Sequence, residues 1–237
     1  MGTGYQGRYG DLFMDWTVDV VLCIDATCSM KDTTGTNPGI IDMVKQNAIN
    51  FLRDLSKKME QYGRVIHQLR VRIVAFRDYM SDKEYAMMVT DFFNLPQQAA
   101  EFEECIHSIH ADGGGDIPED GLEALAYALR SDWNNETARG RNIVVLWTDA
   151  DAHPLGFGSK SPYYSKGMPR DLEELTEWWD DPAIINQKRK RLLLFAPDTN
   201  NWKYISENWG FTQHFPSVAD SGLSEESYQQ ILNAMIR

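Results

Sequence analysis

Val18-Asp-Val-Val-Leu-Cys-Ile24, followed at once by Asp25-Ala-Thr27-Cys-Ser29, decides the reading of this chain. The first seven residues form an apolar run broken only by Asp19. Such a run, rich in β-branched residues and ending at polar ones, reads as a strand buried on both faces. The next five residues leave the strand tip as a loop. They carry a carboxylate and two hydroxyls at i, i+2 and i+4, which can converge on one point. Hard oxygen donors of mixed charge suit Mg²⁺, Mn²⁺ or Ca²⁺ rather than zinc.

Two later segments extend the same site. Ile143-Val-Val-Leu-Trp147 is a second apolar strand, and Thr148-Asp149-Ala-Asp151 follows its end. Between the two strands lies Ala111-Asp-Gly-Gly-Gly-Asp116-Ile-Pro-Glu119-Asp120, which runs into a helical pattern from Gly121. In an open α/β sheet, ligands gather outside the carboxyl ends of the strands, where the strand order reverses. Three loops bearing acids and hydroxyls at that edge make one composite site. The expected metal ligands are Asp25, Thr27, Ser29, Asp116 and Asp149. Asp116 either coordinates the ion or caps the segment after it. Glu119 and Asp120 read as acids of a helix start. Asp151 reads as a loop acid or a partner of the ligands, and His153 as a surface or loop-packing histidine.

With these three loops the chain resembles a von Willebrand factor A domain with a metal-ion-dependent adhesion site. That family's pattern is Asp-x-Ser-x-Ser after the first strand, a Thr after a Gly-Gly loop, and an Asp after a later strand. Asp25, Thr27 and Ser29 match the first element, with Thr27 keeping the hydroxyl, and Asp149 matches the third. Asp116 stands where the Thr is expected, which is a departure. The string Gly113-Gly-Gly-Asp-x-Pro-Glu-Asp120 is similar to a loop of intracellular members, including those linked to protein kinases. The resemblance implies an α/β fold, a Rossmann-like mainly parallel sheet with helices on both faces. It implies Mg²⁺ held by the two hydroxyls and by water bridged to the Asp residues. An acidic side chain of a protein partner would complete the octahedron. The setting it implies is an intracellular assembly for signalling, stress or defence.

The length of 237 residues suits an arm at 1–14 and a single domain at 15–237 with an insertion at about 154–182. The net charge of −12 argues against a nucleic-acid partner, which calls for a basic face. The basic run Lys188-Arg-Lys-Arg191 reads as the solvated start of a strand. No apolar run approaches the ~20 residues a membrane span needs, and the N-terminus shows no signal core. Three cysteines without zinc spacing or a disulfide framework point to a reducing, cytoplasmic setting. His107 and His110 lack a third ligand and read as helix surface or core edge.

Along the chain, 3–4 spacing of Ile41, Val44, Ala48, Leu52 and Leu55 predicts a helix stopped near Gly63. Strands are expected at 69–76, 85–89, 142–147, 192–195 and 211–215. Further helices are expected at 96–109, 121–129, near 202–208 and from Ser224. The insertion carries an acidic helix whose Trp178-Trp179 either plug the core or anchor a partner. No nucleophile–base pair stands out, so the chain reads as a binding module and not an enzyme. The competing reading is a Mg²⁺-dependent phosphohydrolase or nuclease using Asp25, Asp149 and Asp151. It lacks a further acid and a basic groove.

Overall fold

The apolar run lies at the centre of a seven-stranded sheet. The computed structural model describes residues 14–31, 39–115, 117–135, 139–216 and 232–233. Strand β1 (Met14–Asp25) pairs in parallel with β2 (Arg64–Phe76) on one side and β5 (Gly140–Trp147) on the other. Outside β5 come β6 (Lys190–Ala196) and β7 (Thr212–Pro216), both parallel. Beyond β2, two short strands, β3 (Met87–Val89) and β4 (Phe93–Leu95), pair with it antiparallel. The chain is thus α/β with a mainly parallel, mixed sheet. The strand expected at 85–89 is β3, which lies at the sheet edge. Strand β4 was not foreseen, because three residues are too few to show a period.

Burial of β1 on both faces explains its unbroken apolar pattern. Val18, Val20, Leu22 and Ile24 join one core, and Val21 and Cys23 join the other. The first core is closed by α1 (Ile40–Gln61) and α2 (Ala99–Ser108). In α1 the predicted stripe is buried and continues to Met59. The second core is closed by α3 (Gly121–Leu129), α4 (Leu172–Asp180) and α5 (Asn200–Asn208). Asp19, the exception in the run, is 1% exposed. Arg70 grips both its oxygens at 2.8 Å, and the Asn134 amide donates at 2.6 Å. A buried carboxylate survives only with such pairing.

Several expectations change. Parallel neighbours need a crossover connection, and α4 is the helix between β5 and β6. Part of 154–182 is therefore the crossover itself. Trp179 is 0% exposed, stacks on Trp209 at 5.1 Å and donates to the Gly210 carbonyl. It plugs the core and cannot anchor a partner. The basic run is not a solvated strand start. Arg189 and Lys190 are buried, and the Lys190 ammonium donates to the Trp179 carbonyl at 2.7 Å and to Asp180 at 2.9 Å. Lys188 alone of the first three stays exposed. His107 and His110 are both exposed, His107 in the last turn of α2 and His110 just beyond it. The helix expected from Ser224 lies outside the described residues apart from Leu232 and Asn233, which are helical. Among the described residues no helix is long and apolar enough to cross a membrane.

Candidate metal centre

The chain leaves β1 for β2 on one side and later places β5 on the other, so the strand order reverses between β1 and β5. Ligands bind at the carboxyl ends of strands at such a point. Asp25 closes β1, and Thr148 and Asp149 follow β5 directly. The ladders continue just past both strands: the Ala26 amide donates to the Phe76 carbonyl and the Thr148 amide to the Phe195 carbonyl. Both loops therefore start from a rigid base.

Asp25 is fully buried. Its Oδ1 accepts from the Thr27 amide at 2.9 Å and the Thr27 hydroxyl at 2.6 Å. Its Oδ2 accepts from the Thr148 hydroxyl at 2.6 Å. Ser29, which is exposed, donates its hydroxyl to Asp149 Oδ1 at 2.8 Å. Each hydroxyl has one proton to give. With Thr27 giving its proton to Asp25 and Ser29 to Asp149, lone pairs face each other across the 3.0 Å between Thr27 Oγ1 and Ser29 Oγ. Paired lone pairs at the rim of a buried acid are complementary to a cation. The sequence brought these four residues together from two loops, and the structure assembles them as one hydrogen-bonded chain. Asp116 lies outside the described residues.

Electrostatics mark the same place. Burial pushes the Asp25 carboxyl up to about 6, against the hydrogen bonds from Thr148 and Thr27, and the Asp149 charge adds to the rise. Burial also pushes Glu119 up to about 9, helped by the charges of Asp25, Asp78, Asp120 and Asp82. Glu119 is thus no solvated acid of a helix start. It is buried, its Oε2 has no hydrogen-bond partner among the described residues, and its backbone bridges to Ala152. Asp120 is equally buried, and its Oδ2 accepts from the Tyr79 amide at 2.6 Å instead of capping α3. No sequence signal separated these two from ordinary acids at a helix N-terminus.

The turn after β2 supplies a third wall that sequence reasoning missed. Asp78 is buried, and its Oδ1 accepts from the Met80 and Ser81 amides. Asp82 Oδ2 accepts from the Asp78 and Gly114 amides, tying this turn to the glycine loop. His153 is not a surface residue. It is 3% exposed, stacks on Phe157 at 3.9 Å, and points Nε2 at Asp78 Oδ2 from 3.5 Å. Asp151 turns its Oδ1 to the Ala152 amide at 2.8 Å. Cys28 is exposed beside Asp112, whereas Cys23 is buried in the core. All three cysteines are free. Among the described residues no three His, Cys, Asp or Glu side chains converge closely enough to cage an ion by themselves.

The edge also carries apolar surface. Met80, Tyr85, Ile117, Phe157 and Tyr163 are five of the eight exposed large hydrophobic side chains among the described residues. They sit on the turn after β2, the loop before α3, and the segment after β5.

No family model and no curated protein matches this chain. Solved structures do match its fold. One is the PilB minor pilin from Streptococcus sanguinis, with a TM-score of 0.57 at 15% identity. The match covers 93% of this chain and 60% of the pilin chain, so this chain spans about three fifths of that protein's length. At that identity the likeness carries the fold and nothing finer.

Proposed function

We propose that this chain is a von Willebrand factor A-like domain, Rossmann-like in its sheet, that recognises a protein partner through a divalent ion at its loop edge. The observation that carries the reading is the chain Asp25–Thr27–Ser29–Asp149, with two hydroxyl oxygens 3.0 Å apart and their protons engaged by carboxylates. Thr27 and Ser29 would hold the ion directly, and Asp25 and Asp149 would orient them and accept from its waters. All are hard oxygen donors, which fits Mg²⁺ or Mn²⁺ and tolerates Ca²⁺. When bound, the ion supplies an open coordination position for an acidic side chain of the partner. The exposed Met80, Tyr85, Ile117, Phe157 and Tyr163 supply apolar contact area around it. Three free thiols, one of them exposed, suit a reducing compartment and thus an intracellular assembly for signalling, stress or defence.

The competing reading of a Mg²⁺-dependent phosphohydrolase or nuclease asks Asp151 to act beside Asp25 and Asp149. The Asp151 carboxylate is instead engaged by the neighbouring Ala152 amide, which favours the binding module. Thermal melts test the proposal. Millimolar Mg²⁺ or Mn²⁺ is expected to raise the melting temperature, because the folded site binds the ion and the unfolded chain does not. Asp25→Ala is expected to abolish that rise while the protein still folds. Absence of any shift in the unaltered protein defeats the reading. Phosphoester hydrolysis that needs Mg²⁺ and disappears in Asp149→Ala favours the enzyme.

A further inference from the structure

Strand β2 is longer than what pairs with it on its outer side. It runs beside β1 from Arg64 to Phe76. On the other side β3 covers residues 74–76 and β4 covers 69–71. Among the described residues, no strand lies there beside 65–68. The ladder stops because β4 ends at Leu95. The next residue, Pro96, has no amide hydrogen to continue it, and the chain turns into α2. An open stretch of strand presents a row of amides and carbonyls, a template for another strand.

An apolar groove of about 820 Å³ lies against that open stretch. It is lined by Ile49 and Leu52 of α1, Ile66 and Leu69 of β2, Leu95 of β4 and Phe102 of α2. All six belong to the first core or pack against it. The register with β1 shifts between Trp16 and Thr17, opposite Ile66 and Gln68, which leaves His67 as a bulge. The bulge lets Ile66 and Leu69 face the same core although they are three residues apart. The two rims carry opposite charges, Arg53 on α1 and Glu103 on α2, both exposed. Arg53 is steadied by a hydrogen bond to Asn50 Oδ1. The open edge calls for extended main chain, and the groove calls for apolar side chains. The opposed rims call for an acid toward α1 and a base toward α2.

We infer that this groove takes an extended segment of a partner protein, added as a strand beside residues 65–68 with alternate apolar side chains laid into the groove. A helix cannot use the edge, since its own backbone groups are bonded within it. In strand addition the main-chain bonds give affinity, and the pockets for alternate side chains give selectivity. The groove is separate from the metal centre. Ile66 lies ten residues before Phe76, where β2 reaches the loop edge, roughly 30 Å along the strand. The inference therefore stands without the metal reading.

Peptide titration of the full chain, followed by amide chemical shifts and in EDTA so that the metal centre plays no part, tests this. The probe is acetyl-Thr-Val-Asp-Val-Thr-Val-amide, apolar at alternate positions and carrying one acid. It is expected to shift the amides of residues 65–68 together with those lining the groove. Two methylated forms decide the pairing, one with N-methyl groups on every Val and one with them on every Thr and Asp. Alternate amides of a strand face the same side. One form is therefore expected to bind about tenfold or more weakly, and the other to keep its affinity. If both bind as the parent does, or neither binds, the strand pairing falls. Arg53→Glu is a surface change. It is expected to weaken the acidic probe about 2–5-fold and to strengthen a probe with Lys in place of Asp. Unmoved affinities for both probes overturn the acid assigned to the α1 rim. Shifts confined to the groove, with 65–68 unmoved, overturn strand addition in favour of a small apolar ligand. If sedimentation shows the chain pairing with itself and the probe dissolving that pair, the occupant is a second copy and the partner segment falls. No binding of any probe at millimolar concentration defeats the whole inference.

Discussion

At the scale of single residues, burial raises two carboxyl groups beside the loop edge. Asp25 and Glu119 have carboxyl groups raised above their ordinary values of 3.8 and 4.5, to about 6 and about 9, burial being the first cause for each. A group raised on folding holds its proton more tightly in the folded chain. Its contribution to stability is complete below the ordinary value and is lost as pH rises through the folded one. For Asp25 that window is about 4 to 6, and for Glu119 about 4.5 to 9. The metal-free protein is therefore expected to melt at progressively lower temperature from about pH 6 to about pH 9. Melts of Glu119→Gln over that range are expected to be much flatter, as are melts at saturating Mg²⁺. An unchanged slope in Glu119→Gln assigns the pH dependence elsewhere. Gly114 gives a second prediction. Its φ is +79°, and a Cβ would press on Glu119 and Thr27. Gly114→Ala is expected to destabilise by about 1–3 kcal/mol, combining left-handed strain with that contact. Denaturant unfolding measures it. Reading the sequence finds Asp25, Thr27, Ser29 and Asp149 because their spacing after strands is local information. It cannot find Glu119 or Asp78, whose burial is set by which loops fold over them.

At the scale of elements, α4 and the segment before it do separate work. α4 starts with Asp171 accepting from the Glu174 amide at 2.9 Å, and it sends Leu175 and Trp179 into the second core. Trp179 also lies under the Lys190 ammonium at 4.5 Å. Trp179→Ala removes a fully buried indole, and a loss of about 3–5 kcal/mol is expected. Denaturant unfolding should show it, and a stable Trp179→Ala protein contradicts the packing described. The segment before α4 is pinned differently. Glu123 Oε1 accepts from the Tyr164 hydroxyl at 2.9 Å and the Gly156 amide at 3.1 Å, and Tyr79 packs edge-on to Tyr164 at 5.1 Å. Phe157 and Tyr163 stay exposed, and Tyr163 lies against Glu84 and Tyr85. Both tryptophans of α4 were legible as large apolar residues, but the pair alone does not say which one is buried. The helical turn settles it: Trp179 falls on the side of Leu175, four residues earlier, while Trp178 meets Arg130 at the boundary.

At the scale of the whole molecule, the proposal makes recognition depend on metal and on the apolar rim together. A partner complex is expected to dissociate in EDTA and to re-form with Mg²⁺. The double variant Phe157→Ala, Tyr163→Ala is expected to weaken it by about 1–3 kcal/mol, as loss of aromatic anchors does, with little change in melting temperature. Binding that survives both treatments removes this edge from the interface. The sequence by itself determined the alternation of strands and helices, the central place of the run at 18–24, and the hydroxyl and carboxylate set at two strand tips. Those are consequences of local periodicity and of spacing a few residues long, which the backbone geometry converts directly into faces and tips. Only the tertiary structure decided which strands are neighbours and that β5 lies beside β1. It also decided that Glu119, Asp120, Asp78 and His153 are buried, and that the run at 188–191 is tied into the core. These outcomes depend on contacts between residues far apart in the chain. The desolvation and pairing that result are properties of the assembled loops, not of any one stretch of sequence.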